Sequence, residues 1–420
     1  MRYTLRAAVM LALVAAPPRF AAGQALPEVR PETVGLSATG IARLDSAMAA
    51  YVSGKKLPGI VVAIARDGKL AHWKAFGLRS VEANDPMRPD DLFRIMSMTK
   101  PITTTAAMIL VEERKLELDE PVARYLPAFR DLKVWTPDGL VPPRRPMTVR
   151  DLMRHTSGLT YGLFGNTPVD SLYRKEDPYN KATSLADFVD RLARLPLVGH
   201  PGEVWNYGHS TDVLGRIVEV VSGMPLDRFF EERIFKRLGM RNTFFEVPPQ
   251  KRARFVGYYA LSAPGRFFLA DSPDSGSFTR PPRLFSGGGG LVSSASDYLR
   301  FAQMILDGGK LDGVRLLRAE TVDDMLKNQV PASLIPISVG GKTLEGNGFG
   351  LGFSIRVEPG DPLLGPVGLA GWGGYANTFF WIDPQNRLIG LILTQFFPFQ
   401  AYPIESEFRR LVYESLAMGH

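Results

Sequence analysis

Apolar residues along the chain switch between helical and strand spacing, and the switches predict its elements. Residues 36–50 carry apolar side chains at the spacing of one helix face, and Ser37 stands where a capping residue belongs. Two β-rich runs, at 59–65 and 70–77, then flank an Asp-Gly turn. The chain is therefore expected to open as a helix followed by an antiparallel hairpin.

The middle of the chain is dominated by helical spacing, interrupted by long loops that contain Pro and Gly. A run of four glycines at 287–290 separates this part from a further helix, in which Ser294 and Asp297 resemble a capping box. Helices are predicted at 98–113, 148–155, 184–195, 211–221, 226–238 and 295–307.

Strand-like alternation returns over the last 70 residues. Strands are expected at 349–357, 376–382 and 388–394, a final helix at 403–416 and a flexible loop at 329–347. Helices and strands at both ends with a helical insertion favour an α+β fold, in which one antiparallel sheet is built from both termini and flanked by helices.

The domains that follow from this pattern are an α/β domain formed by 24–95 and 285–420, and a mostly helical domain formed by 96–284.

Residues 1–23 have the order of features that is typical of a secretory signal peptide. Arg2 and Arg6 precede an apolar run at 7–16, and small residues lie just before Gln24. The run is too short to span a bilayer. A secreted or periplasmic protein without a membrane span is expected; the alternative is an apolar N-terminus on a cytosolic protein.

The amino-acid composition excludes several kinds of catalytic and binding site. The chain of 420 residues has no cysteine, which excludes disulfides and thiol catalysis, and its five histidines lack metal-binding spacing. No metal site and no cofactor are therefore expected. The net charge of +7 falls to about +4 without the signal segment, and no basic stripe indicates nucleic acid as a partner. The oligomeric state is not indicated.

Ser97 and Lys100 form a Ser-x-x-Lys motif at the start of an apolar helix. Residues three apart share one face of a helical turn, so the lysine amine can reach the serine hydroxyl and activate it as a nucleophile. Pro101 belongs near a helix start and fixes Ser97 at that end. Taken alone, the motif is weak, and in an arbitrary protein a helix-start serine and a solvated lysine would be the preferred interpretation.

Two further elements bear on the same chemistry. Tyr207 precedes a predicted helix, and a tyrosine can relay protons when cations lower its pKa from about 10; its alternative role is that of a packed aromatic. The glycine-rich segment ending at Tyr375 allows a ligand to approach the backbone. Its N–H groups could complete an oxyanion hole, although a bulge or tight bend explains the glycines as well.

Together and in this order, these elements resemble the penicillin-binding protein and class C β-lactamase superfamily, over most of the mature chain. The similar segments are 93–100, 116–122, 125–127, 148–159, 238–240 and the glycine-rich stretch ending at 297.

The resemblance implies Ser97 as the acylated nucleophile, Lys100 as the base or its activator, and Tyr207 as the proton shuttle. It also implies an oxyanion hole formed by the backbone N–H groups of Ser97 and Tyr375. His209 takes the place of the asparagine in the family's Tyr-x-Asn motif, in a substrate-binding position.

Substrate contacts are also implied for Trp372, Gly373 and Gly374, which stand where β-lactamases have Lys-Thr-Gly. The cation that would attract a substrate carboxylate is thus absent, which argues against penicillins. The Trp-Gly-Gly form is similar to the family VIII carboxylesterases, and no Gly-x-Ser-x-Gly elbow of an α/β-hydrolase is present.

The sequence therefore predicts a serine carboxylesterase acting on small-molecule esters, with weak β-lactam hydrolysis as an expected side activity. The alternatives are a β-lactamase or D-amino-acid peptidase on the same scaffold, and a non-catalytic acylated sensor or binding protein.

Overall fold

The computed structural model describes residues 25–417, so the signal peptide expected at 1–23 lies outside the described residues. A π-helical turn, Glu231–Phe235, joins two short helices where one helix was predicted at 226–238. The helices in chain order are α1 (Ala38–Ser53), α2 (Thr99–Glu112), α3 (Val122–Tyr125), α4 (Val149–Met153), α5 (Pro168–Glu176), α6 (Pro178–Lys181), α7 (Leu185–Leu192), α8 (Ser210–Ser222), α9 (Leu226–Phe230), α10 (Lys236–Leu238), α11 (Ala295–Leu306), α12 (Ala319–Met325) and α13 (Ile404–Ala417).

The strands lie at both ends of the chain and in short hairpins between them. In chain order they are β1 (Gly59–Arg66), β2 (Lys69–Ser80), β3 (Asp85–Pro86), β4 (Leu92–Arg94), β5 (Val134–Thr136), β6 (Gly139–Val141), β7 (Tyr258–Ala263), β8 (Arg266–Asp271), β9 (Val292–Ser294), β10 (Lys310–Leu311), β11 (Val314–Arg315), β12 (Ser338–Val339), β13 (Lys342–Thr343), β14 (Asn347–Phe349), β15 (Ser354–Arg356), β16 (Ala370–Gly374), β17 (Thr378–Asp383), β18 (Leu388–Leu393) and β19 (Phe396–Phe397).

One antiparallel sheet contains strands from both ends of the chain, in the order β14-β15-β16-β17-β18-β1-β2-β3. The joint between the two ends is the β1–β18 pair, in which Val61 lies opposite Leu393 and Arg66 opposite Leu388. Both faces of this sheet are covered, which explains why β1, β17 and β18 are almost continuously apolar rather than alternating. The predicted sheet from both termini is confirmed.

Helices cover the two faces of the sheet and bury two separate apolar clusters. On one face, α1 and α13 contribute Leu44, Met48 and Phe408 to a cluster that includes Trp381. On the other face, α2, α8 and α11 pack into the larger cluster, which includes Trp372. The predicted α+β class, with flanking helices and a mostly helical insertion, is confirmed; the exact domain boundaries stay a prediction.

Capping residues set several helix starts as the sequence predicts. The Ser37 side chain accepts a hydrogen bond from the backbone N–H of Gly40 at α1, and Ser184 caps α7 in the same way. Ser294 caps α11, but the reciprocal bond of a capping box is replaced, because the Asp297 carboxylate accepts from Asn242 and Thr243 instead.

Three expectations differ from the structure. The single strand predicted at 349–357 is wrong, because a turn containing Gly352, with a φ of 87°, divides it into β14 and β15. The expected loop at 329–347 contains the β12–β13 hairpin. The segment predicted to be helical also holds the β7–β8 hairpin, whose two aromatic runs flank a Pro-Gly turn that could have revealed it.

Candidate active site

Ser97 lies in a short 3-10 turn, Met96–Met98, between β4 and the buried helix α2. Met96 has a φ of 48°, in the left-handed region that costs a non-glycine residue free energy. The Ile95 N–H donates to the Leu291 carbonyl at 3.0 Å, which ties this turn to the strand-like segment beside it. The strained turn places Ser97 on the wall of a cavity of about 600 Å³.

Lys100 is buried next to Ser97, and its ammonium group has three acceptors. Its Nζ lies 3.1 Å from Ser97 Oγ, 2.9 Å from Tyr161 Oη and 2.7 Å from the Gly288 carbonyl oxygen. A protonated amine has three N–H groups, so each is used; a neutral amine could instead accept the Ser97 proton with its lone pair. The predicted contact between Ser97 and Lys100 is therefore present in the structure.

Tyr207 also reaches Lys100, but through its ring rather than its hydroxyl. The Lys100 Nζ lies 4.7 Å from the centroid of the Tyr207 ring, and the Tyr207 hydroxyl accepts a hydrogen bond from Trp372 Nε1 at 3.1 Å. The hydroxyl bonded to Lys100 belongs to Tyr161, which the sequence analysis missed. The segment 148–159, which carries part of the resemblance, ends two residues before it.

Burial keeps two further groups of the site uncharged at neutral pH. Burial, followed by the neighbouring Tyr207, Asp212 and Tyr179, raises the pKa of the Tyr161 hydroxyl well above its usual value. Burial, followed by the charge of Lys100, lowers the pKa of His155 well below 6.5. Tyr161 can therefore act as a proton donor.

The glycine-rich segment forms strand β16 rather than a bulge or tight bend. Trp372, Gly373 and Tyr375 line the cavity, whereas Gly374 packs against Ile95. Its neighbour β15 pairs with only the first two residues of β16, so the Trp372–Gly374 half has no strand partner on that side. A Cβ atom on Gly374 would collide with the Ile95 carbonyl, so glycine permits the strand to approach the turn that carries Ser97.

The two backbone groups predicted for the oxyanion hole, those of Ser97 and Tyr375, thus belong to segments that line one cavity. The Thr378 hydroxyl donates to the Ile95 carbonyl at 3.3 Å and links the hairpin after β16 to the same turn.

His209 lines the cavity and is bonded to a carboxylate that the sequence analysis did not single out. Its Nδ1 lies 3.2 Å from Asp212 Oδ2, and its ring packs edge-on against Tyr161 at 4.4 Å. Burial acts most strongly on Asp212 and raises its pKa, but bonds and charges from His209, Ser286 and Lys100 outweigh it. The pKa of Asp212 therefore lies below its usual range, and the carboxylate is charged.

The cavity walls come from the helical part of the chain, from the stretch 329–347 and from strands β15 to β17. Leu163 (70% exposed) and Phe164 line the cavity from the helical part, and Val339 of β12 and Leu344, which follows β13, line it from the stretch 329–347. Lys342 also lines the cavity. The walls near Ser97 are mainly aromatic and aliphatic, as in sites that bind neutral organic molecules.

Known proteins share this architecture. The Beta-lactamase family model matches residues 44–414. The chain is 37% identical over 352 residues to Protein Rv1367c of Mycobacterium tuberculosis (strain ATCC 25618 / H37Rv), with 81% of this chain and 86% of that protein covered. It is 33% identical over 386 residues to Esterase EstB of Burkholderia gladioli, with 87% and 93% covered.

Among solved structures, EstCE1, a hydrolase with promiscuous acyltransferase activity, matches with a TM-score of 0.76 and 26% identity, over 90% of this chain and 98% of that one. The family match and EstB confirm the resemblance inferred from the motifs. The chain belongs to the beta-lactamase family.

Proposed function

We propose that the protein is a serine carboxylesterase that acts through an acyl-enzyme on Ser97. The observation that carries the proposal is the contact of Lys100 Nζ with both Ser97 Oγ and Tyr161 Oη inside a mainly apolar cavity. The similarity to Esterase EstB and to the hydrolase EstCE1 supports the same reaction class.

In this mechanism Ser97 Oγ attacks the ester carbonyl carbon, and its proton passes to the Lys100–Tyr161 pair. The carbonyl oxygen becomes negative and is stabilised by the backbone N–H groups of Ser97 and Tyr375. Collapse of this tetrahedral intermediate breaks the bond between the carbonyl carbon and the alcohol oxygen. The alcohol leaves with a proton from the group formed by Lys100, Tyr161 and Tyr207. Water then attacks the acyl group, gives a proton to the same group and releases the acid, and Ser97 regains its proton.

Neutral esters fit this site better than carboxylated substrates. Trp372 occupies the position where a lysine would pair with a substrate carboxylate, and its indole N–H is already bonded to Tyr207. A cavity of about 600 Å³ is within the range that binds drug-sized molecules. We therefore expect neutral esters with a sizeable apolar acyl or alcohol part.

Acid-quenched mass spectrometry during turnover of a p-nitrophenyl ester is expected to show the acyl mass on the peptide that contains Ser97. The Ser46→Ala variant, altered at an exposed serine on α1, should label like the wild type. An acyl group on another residue would contradict the mechanism. An adduct that persists without turnover would identify the protein as an acylated sensor.

A β-lactamase or peptidase acting on anionic substrates is the second candidate, and Lys342 favours it. Lys342 lines the same cavity as Ser97, is exposed, and forms no ion pair within the part of the chain that the structure describes. A cephalosporin added to the same assay separates the two candidates. Hydrolysis of the cephalosporin faster than of neutral esters would favour the second.

The two tyrosines at Lys100 are expected to act together, so Tyr161→Phe and Tyr207→Phe should each lower kcat for the ester by about 10²-fold. The first variant removes the hydroxyl bonded to Lys100, and the second removes the hydroxyl bonded to Trp372. Stopped-flow and steady-state rates measure the loss. Tyr173→Phe, a change at a buried tyrosine farther along the cavity, is the control. A wild-type rate in either variant would remove that tyrosine from the mechanism.

Export to the periplasm or the medium remains a proposal that rests on the sequence of residues 1–23 alone. None of the described helices is long and apolar enough to cross a membrane. The small-molecule ester is the partner that the site supports.

A further inference from the structure

The buried carboxylate of Asp212 is connected to one of the groups that hold Lys100 beside Ser97. Asp212 Oδ1 accepts hydrogen bonds from the Ser286 hydroxyl at 2.6 Å and from the Gly288 N–H at 3.0 Å. The carbonyl of the same glycine accepts from Lys100 Nζ at 2.7 Å. One residue thus faces Asp212 with its N–H and Lys100 with its carbonyl.

The second oxygen of Asp212 is connected to the other partner of Lys100. It lies 3.2 Å from His209 Nδ1, and the His209 ring packs at 4.4 Å against the ring of Tyr161. The Tyr161 hydroxyl accepts from Lys100 at 2.9 Å. Asp212 therefore supports both the loop and the aromatic ring that contact Lys100.

The glycines of the loop 286–290 allow its backbone to lie close to the Asp212 carboxylate. A Cβ atom on Gly288 would lie 2.6 Å from Asp212 Oδ2, so a larger residue would push the carboxylate away. The Thr103 hydroxyl donates to the Gly287 carbonyl at 2.6 Å and fixes the loop to α2, the helix that carries Lys100. The loop 286–290 and Lys100 are thereby both held by α2.

We propose that Asp212 is a positioning residue for the Ser97–Lys100 pair, acting through Gly288 and Tyr161. It has two effects. Its hydrogen bonds fix the Gly288 carbonyl that aims the lysine, and its buried negative charge stabilises the proton on the Lys100–Tyr161 pair. The proposal rests on the proposed function, because it assigns Asp212 a part in activating the same nucleophile.

The charge effect has a definite sign. Among the residues that the structure describes, the titratable groups Tyr161, Tyr207 and His155 face Lys100, and Asp212 adds a negative charge. Removing that charge favours loss of a proton from the Lys100–Tyr161 pair. The acid limb of the reaction should then move to lower pH, by about one pH unit.

Three variants separate the two effects. Asp212→Asn keeps an oxygen that can accept from Ser286 and Gly288 but loses the charge. Asp212→Ala loses both the accepting oxygen and the charge. Ser286→Ala loses one hydrogen bond to Asp212 while the charge of Asp212 remains. Asp297→Asn is the matched control, because Asp297 is a buried carboxylate that accepts from a backbone N–H and a threonine hydroxyl outside the cavity.

The measurement is the pH dependence of the rate at which a fluorophosphonate labels Ser97, together with kcat for the ester. We expect the acid limb to move to lower pH in Asp212→Asn and Asp212→Ala, but not in Ser286→Ala or Asp297→Asn. In Asp212→Ala, kcat should fall by about 10²-fold, with a smaller change in KM, as expected for a misplaced reacting group.

Unchanged labelling rates and an unmoved acid limb in both Asp212 variants would overturn the proposal. If neither Asp212 variant folds, an undiminished labelling rate in Ser286→Ala would overturn it. If the wild type labels at Ser97 but hydrolyses no ester, the proposed function fails while the labelling data still decide the role of Asp212.

Discussion

The Ser97→Ala protein is expected to lose hydrolysis of a p-nitrophenyl ester by about 10⁴-fold or more in kcat/KM. Without the hydroxyl no acyl-enzyme forms, and only binding and polarisation of the carbonyl by nearby backbone N–H groups remain. Because Ser97 lies at a cavity wall and its Oγ is hydrogen-bonded to Lys100, the change to alanine removes little packing. Steady-state assays and a thermal melt of the same sample measure both quantities.

The Ser46→Ala variant is again the control for mutation of a serine as such. A Ser97→Ala protein that melts like the wild type but retains more than about a tenth of its activity would rule out Ser97 as the nucleophile, because losses at nucleophilic serines are far larger.

Replacing Lys100 with methionine is expected to lower kcat/KM for the ester by about 10³-fold, within the range of lost acid–base catalysis. The methionine side chain has a similar length and shape, so the buried volume stays filled. The Gly288 carbonyl and the Tyr161 hydroxyl lose their shared donor, but the protein no longer buries a cation, and these effects on the free energy of unfolding oppose each other. The melting temperature should therefore change little while activity falls.

Lys115→Met, at an exposed lysine paired with Glu113, is the control for removal of a positive charge. Near-normal ester turnover in Lys100→Met would show that another group accepts the Ser97 proton. A large fall in melting temperature would instead show that the lysine is needed mainly for folding.

Much of the site was accessible from the chain alone, because its key residues lie in short motifs. Ser97 and Lys100 are three residues apart, so one helical turn brings them together whatever the rest of the fold does. The glycine-rich segment before Tyr375 was singled out as a place of close backbone approach, although the strand β16 that it forms was not predicted. Ser37 and the Asp-Gly turn likewise encode their structures locally.

Tyr161 and Asp212 could not be assigned in this way. Their roles depend on contacts across large sequence separations, 61 residues from Tyr161 to Lys100 and 76 from Asp212 to Gly288. Nothing in the residues around them distinguishes these side chains from a packed tyrosine or a charge at a helix start. The tyrosine that the sequence singled out as the proton shuttle was Tyr207, whose hydroxyl bonds Trp372.

The sequence by itself determined the fold class and the contact between Ser97 and Lys100, because apolar periodicity and a three-residue spacing act within one element. Only the tertiary structure decided which groups complete the surroundings of Lys100. The Gly288 carbonyl and the Tyr161 hydroxyl contact Lys100 from two separate segments, and the Asp212 carboxylate on α8 accepts from the Gly288 N–H. Packing of α2 against α8 and the loop 286–290 brings these groups together. Burial strengthens the electrostatic interactions among these groups, because a low-dielectric interior screens them less than water would.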